Sequence, residues 1–209
     1  MIRRMWFAGA IATATLLAAT ACSSDEDTNS VPAESTPSTE QAVTQNRSPH
    51  PTLTDSDLQP PSQDDSDGRA KVVFDPCTWI SDEAISGAGF DPATRKRAHD
   101  QVTEYTTFTC RFKSDLRSLD VDSLNISFEE DQQKNGNWLQ PTAPVNGREA
   151  ASGQDPAIPG SCEVHMRTKA GSVFIRTLLT LNGRGESADP CENMVGIASA
   201  VESSIGKDN

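Results

Sequence analysis

The chain has 209 residues, of which 30 are acidic and 18 basic, for a formal net charge of −12 at neutral pH. That surplus repels phosphate backbones, which excludes nucleic-acid binding, and it offers no polybasic patch to anionic lipid. Aromatic residues make up only 5%, so apolar material must be concentrated in one part of the chain to build a core.

Residues 1–21 read as an export signal. Arg3 and Arg4 give a positive start, Trp6 to Leu17 an apolar middle, and Ala19-Thr20-Ala21 small residues before a cut. Thr13, Thr15 and Thr20 interrupt the apolar run, which falls short of the roughly 18 apolar residues of a membrane span. Cys22 follows the cut directly, so it is the expected lipidation site. Ala19 stands where lipoprotein signals usually carry Leu, Val or Ile. Ordinary secretion with an unmodified Cys22 is the competing reading. With lipid on Cys22, the partner is the membrane and the location its outer, extracytoplasmic face.

Residues 22–70 are expected to be a lipidated cysteine and a disordered tether. Ser23 to Ala70 holds no aromatic residue, six prolines (Pro32, Pro37, Pro49, Pro51, Pro60 and Pro61) and an excess of acids. Such a segment cannot offset its chain entropy by burial. About 48 flexible residues span roughly 40 Å, enough to hold a domain off a membrane. Asp64-Asp65-Ser66-Asp67-Gly68 is similar to the start of a calcium loop but lacks its downstream Glu, so no metal site is expected.

Residues 71–209 are of single-domain size. Asp75-Pro76-Cys77 and Asp189-Pro190-Cys191 each suit a helix start, with Asp as cap, Pro in the first helical position and Cys in the first turn. Trp79, Ile80, Ala84 and Ile85 extend the first stripe to Gly87. Met194, Ile197, Ala198, Val201 and Ile205 form the second. Between them the period is two: Phe108, Cys110 and Phe112; Leu124, Ile126 and Phe128; Cys162, Val164 and Met166; Val173 to Leu181, apolar on both faces and so a covered central strand. Lys169-Ala170-Gly171 is a hairpin turn, and a weaker strand is expected near Val145 to Ala151. The predicted fold is α+β: an antiparallel sheet of four to five strands packed by N- and C-terminal helices and held by two disulfides.

Exported cysteines oxidise, and no C-x-x-C pair or neighbouring histidines favour zinc. Cys77, Cys110, Cys162 and Cys191 therefore form two disulfides. Joining each helix start to a strand favours Cys77 with Cys110 and Cys162 with Cys191. Cys77 with Cys162 and Cys110 with Cys191 is the alternative.

Catalytic signals are sparse. No G-x-S-x-G occurs. His50 lies in the tether, His99 follows Arg95-Lys96-Arg97 in an exposed loop, and His165 is placed on the solvated face of a strand. Glu129-Glu130-Asp131 reads as a solvated strand end, and Trp138 as folding back on the sheet. No catalytic, cofactor-binding or metal-ligating residue is assigned, and no cofactor is expected.

The lipobox, acidic tether, Asp75-Pro76-Cys77, Cys110 followed by an aromatic, Asn146-Gly147-Arg148, Cys162 in a strand and the closing Asp189-Pro190-Cys191 helix together resemble the actinobacterial lipoprotein family termed domain of unknown function 3558. The resemblance implies an envelope location, the fold and a common frame for the four cysteines, and it carries over no catalytic residue. The expected function is a membrane-anchored, non-catalytic binding or accessory module that takes an envelope protein, glycan or lipid. The alternative is a hydrolase or other enzyme acting on the cell wall.

Overall fold

In the computed structural model the described residues are 53–64, 68–207 and 209. The signal, Cys22, His50, most of the tether and Asp65 to Asp67 lie outside them. Asp75 caps α1 (Pro76–Trp79) by accepting the Thr78 N–H at 2.9 Å, with proline in the first helical position. The expected single helix is two. Ile80 is extended and Ser81 caps a new helix, α2 (Asp82–Gly87), by accepting the Ala84 N–H.

Eight strands form one antiparallel sheet, more than the four to five expected: β1 (Asp91–Arg97), β2 (Gln101–Val102), β3 (Thr106–Lys113), β4 (Arg117–Leu124), β5 (Gln140–Pro141), β6 (Ala150–Gly153), β7 (Ser161–Arg167) and β8 (Ser172–Leu179). The order is β1-β3-β4-β8-β7-β6-β5, with β2 on β3. The additional strands escape a periodicity test for physical reasons. β1 is the basic run Asp91-Pro92-Ala93-Thr94-Arg95-Lys96-Arg97 at an edge, while β2 and β5 have two residues each. β8 is central, as its apolar faces implied.

One expected strand is displaced and another shortened. The strand expected over Leu124, Ile126 and Phe128 keeps only Leu124, the last residue of β4, because Ser127 caps α3 (Phe128–Asn135). A capping box closes it: the Glu130 N–H donates to Ser127 Oγ at 3.1 Å, and the Ser127 N–H to Glu130 Oε2 at 2.9 Å. Likewise the strand expected through Leu181 ends at Leu179, because Thr180 caps α4 (Leu181–Gly185). In the β7–β8 hairpin, Gly171 is required by space: a Cβ there would strike the carbonyls of Leu124 and Ile126.

The main core lies on one face of the sheet. Cys110, Phe112, Leu119, Val121, Val164, Met166, Val173 and Ile175 meet Phe74, Ile80, Ile85 and the apolar stripe of α5 (Met194–Ile205). Each large buried side chain contributes roughly 1.5–3 kcal/mol. Cys77 bonds Cys110, tying α1 to β3, and Cys162 bonds Cys191, tying β7 to the segment before α5, with Cα separations of 5.0 and 5.1 Å. This is the favoured pairing. In the chain-entropy account each link contributes roughly 3–4 kcal/mol. Cys191 precedes the helix rather than starting it; Asn193, left-handed at φ 54°, turns the chain into α5.

The second face carries α3 and a small cluster of Phe128, Leu139 and Ala151 with Trp138. The last part of the expected tether also packs on the domain. The Leu53 N–H donates to the Thr78 carbonyl at 3.1 Å, Gln63 pairs with both backbone groups of Val72, Leu58 touches the core, and Arg97 donates to the Leu58 carbonyl.

Candidate functional site

A cavity of about 310 Å3 opens between β6, β7 and the start of α5. Its buried lining is Val145, Val164, Met194 and Cys162 of the second disulfide; Thr142, Ala143, Gln154 and Val195 are exposed around it. The local sequence explains the space. β5 ends at Pro141 and Pro144 has no N–H, so after the Thr142–Ala150 backbone bond the chain before Val145 leaves the β6 ladder. The Cys162–Cys191 link then holds the start of α5 at the other side. Gln154 Nε2 donates to Cys191 Sγ at 3.3 Å, and Thr177 Oγ1 donates to the Pro190 carbonyl at 2.5 Å, fixing that wall. Apolar residues dominate the lining, with Thr142, Ser152 and Gln154 among its polar side chains, which is the chemistry of a pocket for a small apolar ligand.

The opposite face carries a row of charge. Arg111 on β3 stands directly across from Asp120 on β4, Asp120 from Arg176 on β8, and Arg176 from Glu163 on β7. Arg111 grips Asp120 at both nitrogens, each at 2.6 Å, and Arg176 grips Glu163 at 2.7 and 3.2 Å. The row continues sideways. His165 Nε2 lies 2.9 Å from Glu163 Oε2, and its Nδ1 2.8 Å from Asp131 Oδ2 on α3, whose other oxygen accepts from Asn135 at 2.8 Å. Phe174 stacks on the imidazole at 3.7 Å and Trp138 meets it edge-on at 5.9 Å.

The electrostatics follow from that packing. Burial alone pushes the His165 pKa down, but the two carboxylates outweigh it and the net direction is up. Burial likewise pushes Glu163 up, and His165 and Arg176 together bring it below the usual range. Arg176 is raised because Glu163 outweighs its own desolvation. Asp122, next along that face of β4, makes no ion pair among the described residues. Burial pushes its carboxyl up to about 6, partly offset by the Thr109 hydroxyl and by Arg176.

Several expectations resolve here. His165 is not solvated but 1% exposed, because α3 and Trp138 cover this end of the face. With both ring nitrogens held by carboxylates, it has no free position to take a substrate proton. Glu129-Glu130-Asp131 is not a strand end but the first turn of α3. Glu130 completes the capping box and pairs with Arg69 at 2.9 Å, while Asp131 is buried on His165. Trp138 does fold back, so closely that a Cβ on Gly153 would strike its carbonyl. His99 is exposed, as expected, in a left-handed conformation with φ 57°. Asp122, Glu163 and Arg176 carried no motif. The Ser127-x-x-Glu130 pattern was the available signal for α3.

Asn146-Gly147-Arg148 is a grip on α5. Asn146 and Gly147 both have positive φ, 49° and 88°, which sets Arg148 back against the helix end. Arg148 donates to the carbonyls of Arg167, Gly206 and Asn209 and pairs with Glu202 at 3.2 Å. Among the described residues no cluster of three or more His, Cys, Asp or Glu side chains is placed to hold a metal, and no helix is long and apolar enough to cross a membrane.

No curated protein and no solved structure is significantly similar to this chain. A family model described as "protein of unknown function (DUF3558)" matches residues 17–204, from before Cys22 to the last turn of α5. That span takes in both disulfides, the charged row and the apolar pocket, and by it the chain belongs to the DUF3558 family.

Proposed function

We propose that this protein is an extracytoplasmic lipoprotein of an actinobacterial envelope, anchored through lipid on Cys22, whose domain is a non-catalytic module binding an acyl chain in the apolar pocket. The observation that carries this reading is the cavity of about 310 Å3 beside Cys162–Cys191, the size class of small-ligand sites. An acyl chain suits it better than a protein segment. The buried lining offers no charge to recognise a side chain, while Thr142, Ser152 and Gln154 can meet a polar head at the edge. Arg3-Arg4, the apolar run and the abutting Cys22 support the anchor.

Two experiments test the two halves. Native mass spectrometry of the mature chain, after incubation with envelope lipid extract, should find a lipid adduct. Ala143→Trp, at the exposed edge, should remove it without lowering the melting temperature. No adduct, or one that Ala143→Trp leaves unchanged, defeats the pocket assignment. For the anchor, the protein should partition into detergent and Cys22→Ser into the aqueous phase. Equal partitioning would defeat the lipoprotein assignment alone.

A further inference from the structure

The two disulfides stand in different surroundings. Cys77 and Cys110 are enclosed by the core, both 0% exposed. Cys162 and Cys191 both line the apolar pocket, and Cys191 is only half-buried. The exposed Gln154 donates to Cys191 Sγ at 3.3 Å, so this sulfur stands within reach of the rim. The segment that carries Cys191 is also held out of its easiest conformation. Ser187 and Asn193 bound it, both left-handed at φ 55° and 54°, a region that most residues with a side chain avoid. Asn193 gives α5 no side-chain cap. Besides the disulfide, hydrogen bonds from Thr177 Oγ1 to the Pro190 carbonyl and from Arg117 Nη1 to the Glu192 carbonyl, each at 2.5 Å, tie the segment to the sheet.

We propose that Cys162–Cys191 is a reducible latch on the apolar pocket: cleavage by a dithiol frees the Ser187–Asn193 segment and the first turn of α5 from β7, and the pocket loses that wall. Exposed disulfides are the labile and regulatory ones, since exchange needs a thiolate to reach a sulfur atom. One thiolate of the dithiol attacks Cys191 Sγ, forming a mixed disulfide and breaking the bond to Cys162, which leaves as a thiolate and takes up a proton. The second thiol of the dithiol, as its thiolate, then attacks the dithiol's own sulfur in the mixed disulfide. Cys191 leaves as a thiolate, stabilised by the Gln154 amide, and is protonated in turn. Two electrons and two protons pass to the protein, and the dithiol closes to a cyclic disulfide. Cys77–Cys110 offers no such approach, because a thiolate would have to enter the core. The latch rests on this geometry; that an acyl chain is what it releases rests on the reading above.

The test treats the mature chain with dithiothreitol at neutral pH without denaturant, traps thiols with excess iodoacetamide, and maps the labelled cysteines by mass spectrometry. Cys162 and Cys191 should be labelled at least about tenfold faster than Cys77 and Cys110. With only that bond cleaved, amide hydrogen exchange at Val195 to Ala198 should quicken at least about tenfold, while β3 and β4 exchange as before. The lipid adduct of the oxidised chain should be lost. Equal labelling of the two pairs, faster labelling of Cys77 and Cys110, or unchanged exchange in α5 would each overturn the latch. An adduct that survives reduction overturns its control of the pocket. An oxidised chain with no adduct defeats the acyl-chain reading, whereas labelling and exchange still decide the latch, since neither needs a ligand.

Discussion

His165 Nδ1 on β7 and Asp131 Oδ2 on α3 lie 2.8 Å apart, with side chains 2% and 1% exposed, and this contact fastens α3 to the sheet. It gives the second face its only buried polar tie between helix and strand among the described residues. The imidazole is also clamped by Glu163 and stacked on Phe174. A ring so enclosed depends on both carboxylates, and each of them on the ring, for a buried polar partner.

Removing the ring should therefore cost more than its volume. We predict that His165→Phe, which keeps the stack on Phe174, destabilises the domain by roughly 3–5 kcal/mol, because Asp131 is left buried without its partner. Urea denaturation measures this. A loss well under 1 kcal/mol would show that the network is no better than an apolar packing of the same shape.

The pH dependence has a definite sign. The His165 pKa is raised in the folded state, so its contribution is complete below the unfolded value of about 6.5 and is lost as pH rises through the folded value. Asp122 is an acid with a raised pKa, which gives the same sign. The native state binds its proton more tightly, so stability falls as pH rises from about 4 to about 6. Asp122→Asn should be near neutral at pH 4 and stabilising at pH 7. Melting temperatures at the two pH values check it; a variant less stable at pH 7 contradicts the burial argument.

The grip of Arg148 on α5 should also be measurable. Arg148→Ala strips partners from the Gly206 and Asn209 carbonyls and from Glu202. A loss of about 2–4 kcal/mol is expected, since several charge-assisted bonds go at once. Hydrogen exchange should quicken first in the last turns of α5. Uniformly faster exchange across the sheet would place the role of Arg148 elsewhere.

A chain beginning at Lys71 should melt below one beginning at Leu53. The shorter chain loses the Leu53–Thr78 backbone bond, the Gln63–Val72 pair and the Leu58 contact that also occupies Arg97. A few kcal/mol are at stake by count of partly buried hydrogen bonds at about 1 kcal/mol each. Identical melting curves would make this stretch a passive wrapper.

Much of the fold could be read from the chain because its causes are local. Asp75-Pro76-Cys77 starts a helix by cap and ring geometry, and the stripe of Met194 to Ile205 needs only a period of 3.6. The α+β class and the central place of β8 follow from alternation and from where helices and strands fall; the same reading favours the observed cysteine partners but leaves the crossed pairing open, and the structure decides it. α3 was open to reading through Ser127 and Glu130, but the alternation of Leu124, Ile126 and Phe128 imitates a strand. A side-chain cap overrode that pattern.

What the tertiary structure alone decided is which polar residues meet. Arg111, Asp120, Arg176 and Glu163 are ordinary outward-facing residues on four strands, and nothing in their spacing marks them. They become a row because β4 pairs with β8 in a register that sets Asp120 opposite Arg176. Asp131 finds His165 because α3 crosses that face. The apolar pocket exists because β5 stops early and a disulfide holds α5 back. Strand order and register depend on the whole core closing at once, and a single segment does not contain that information.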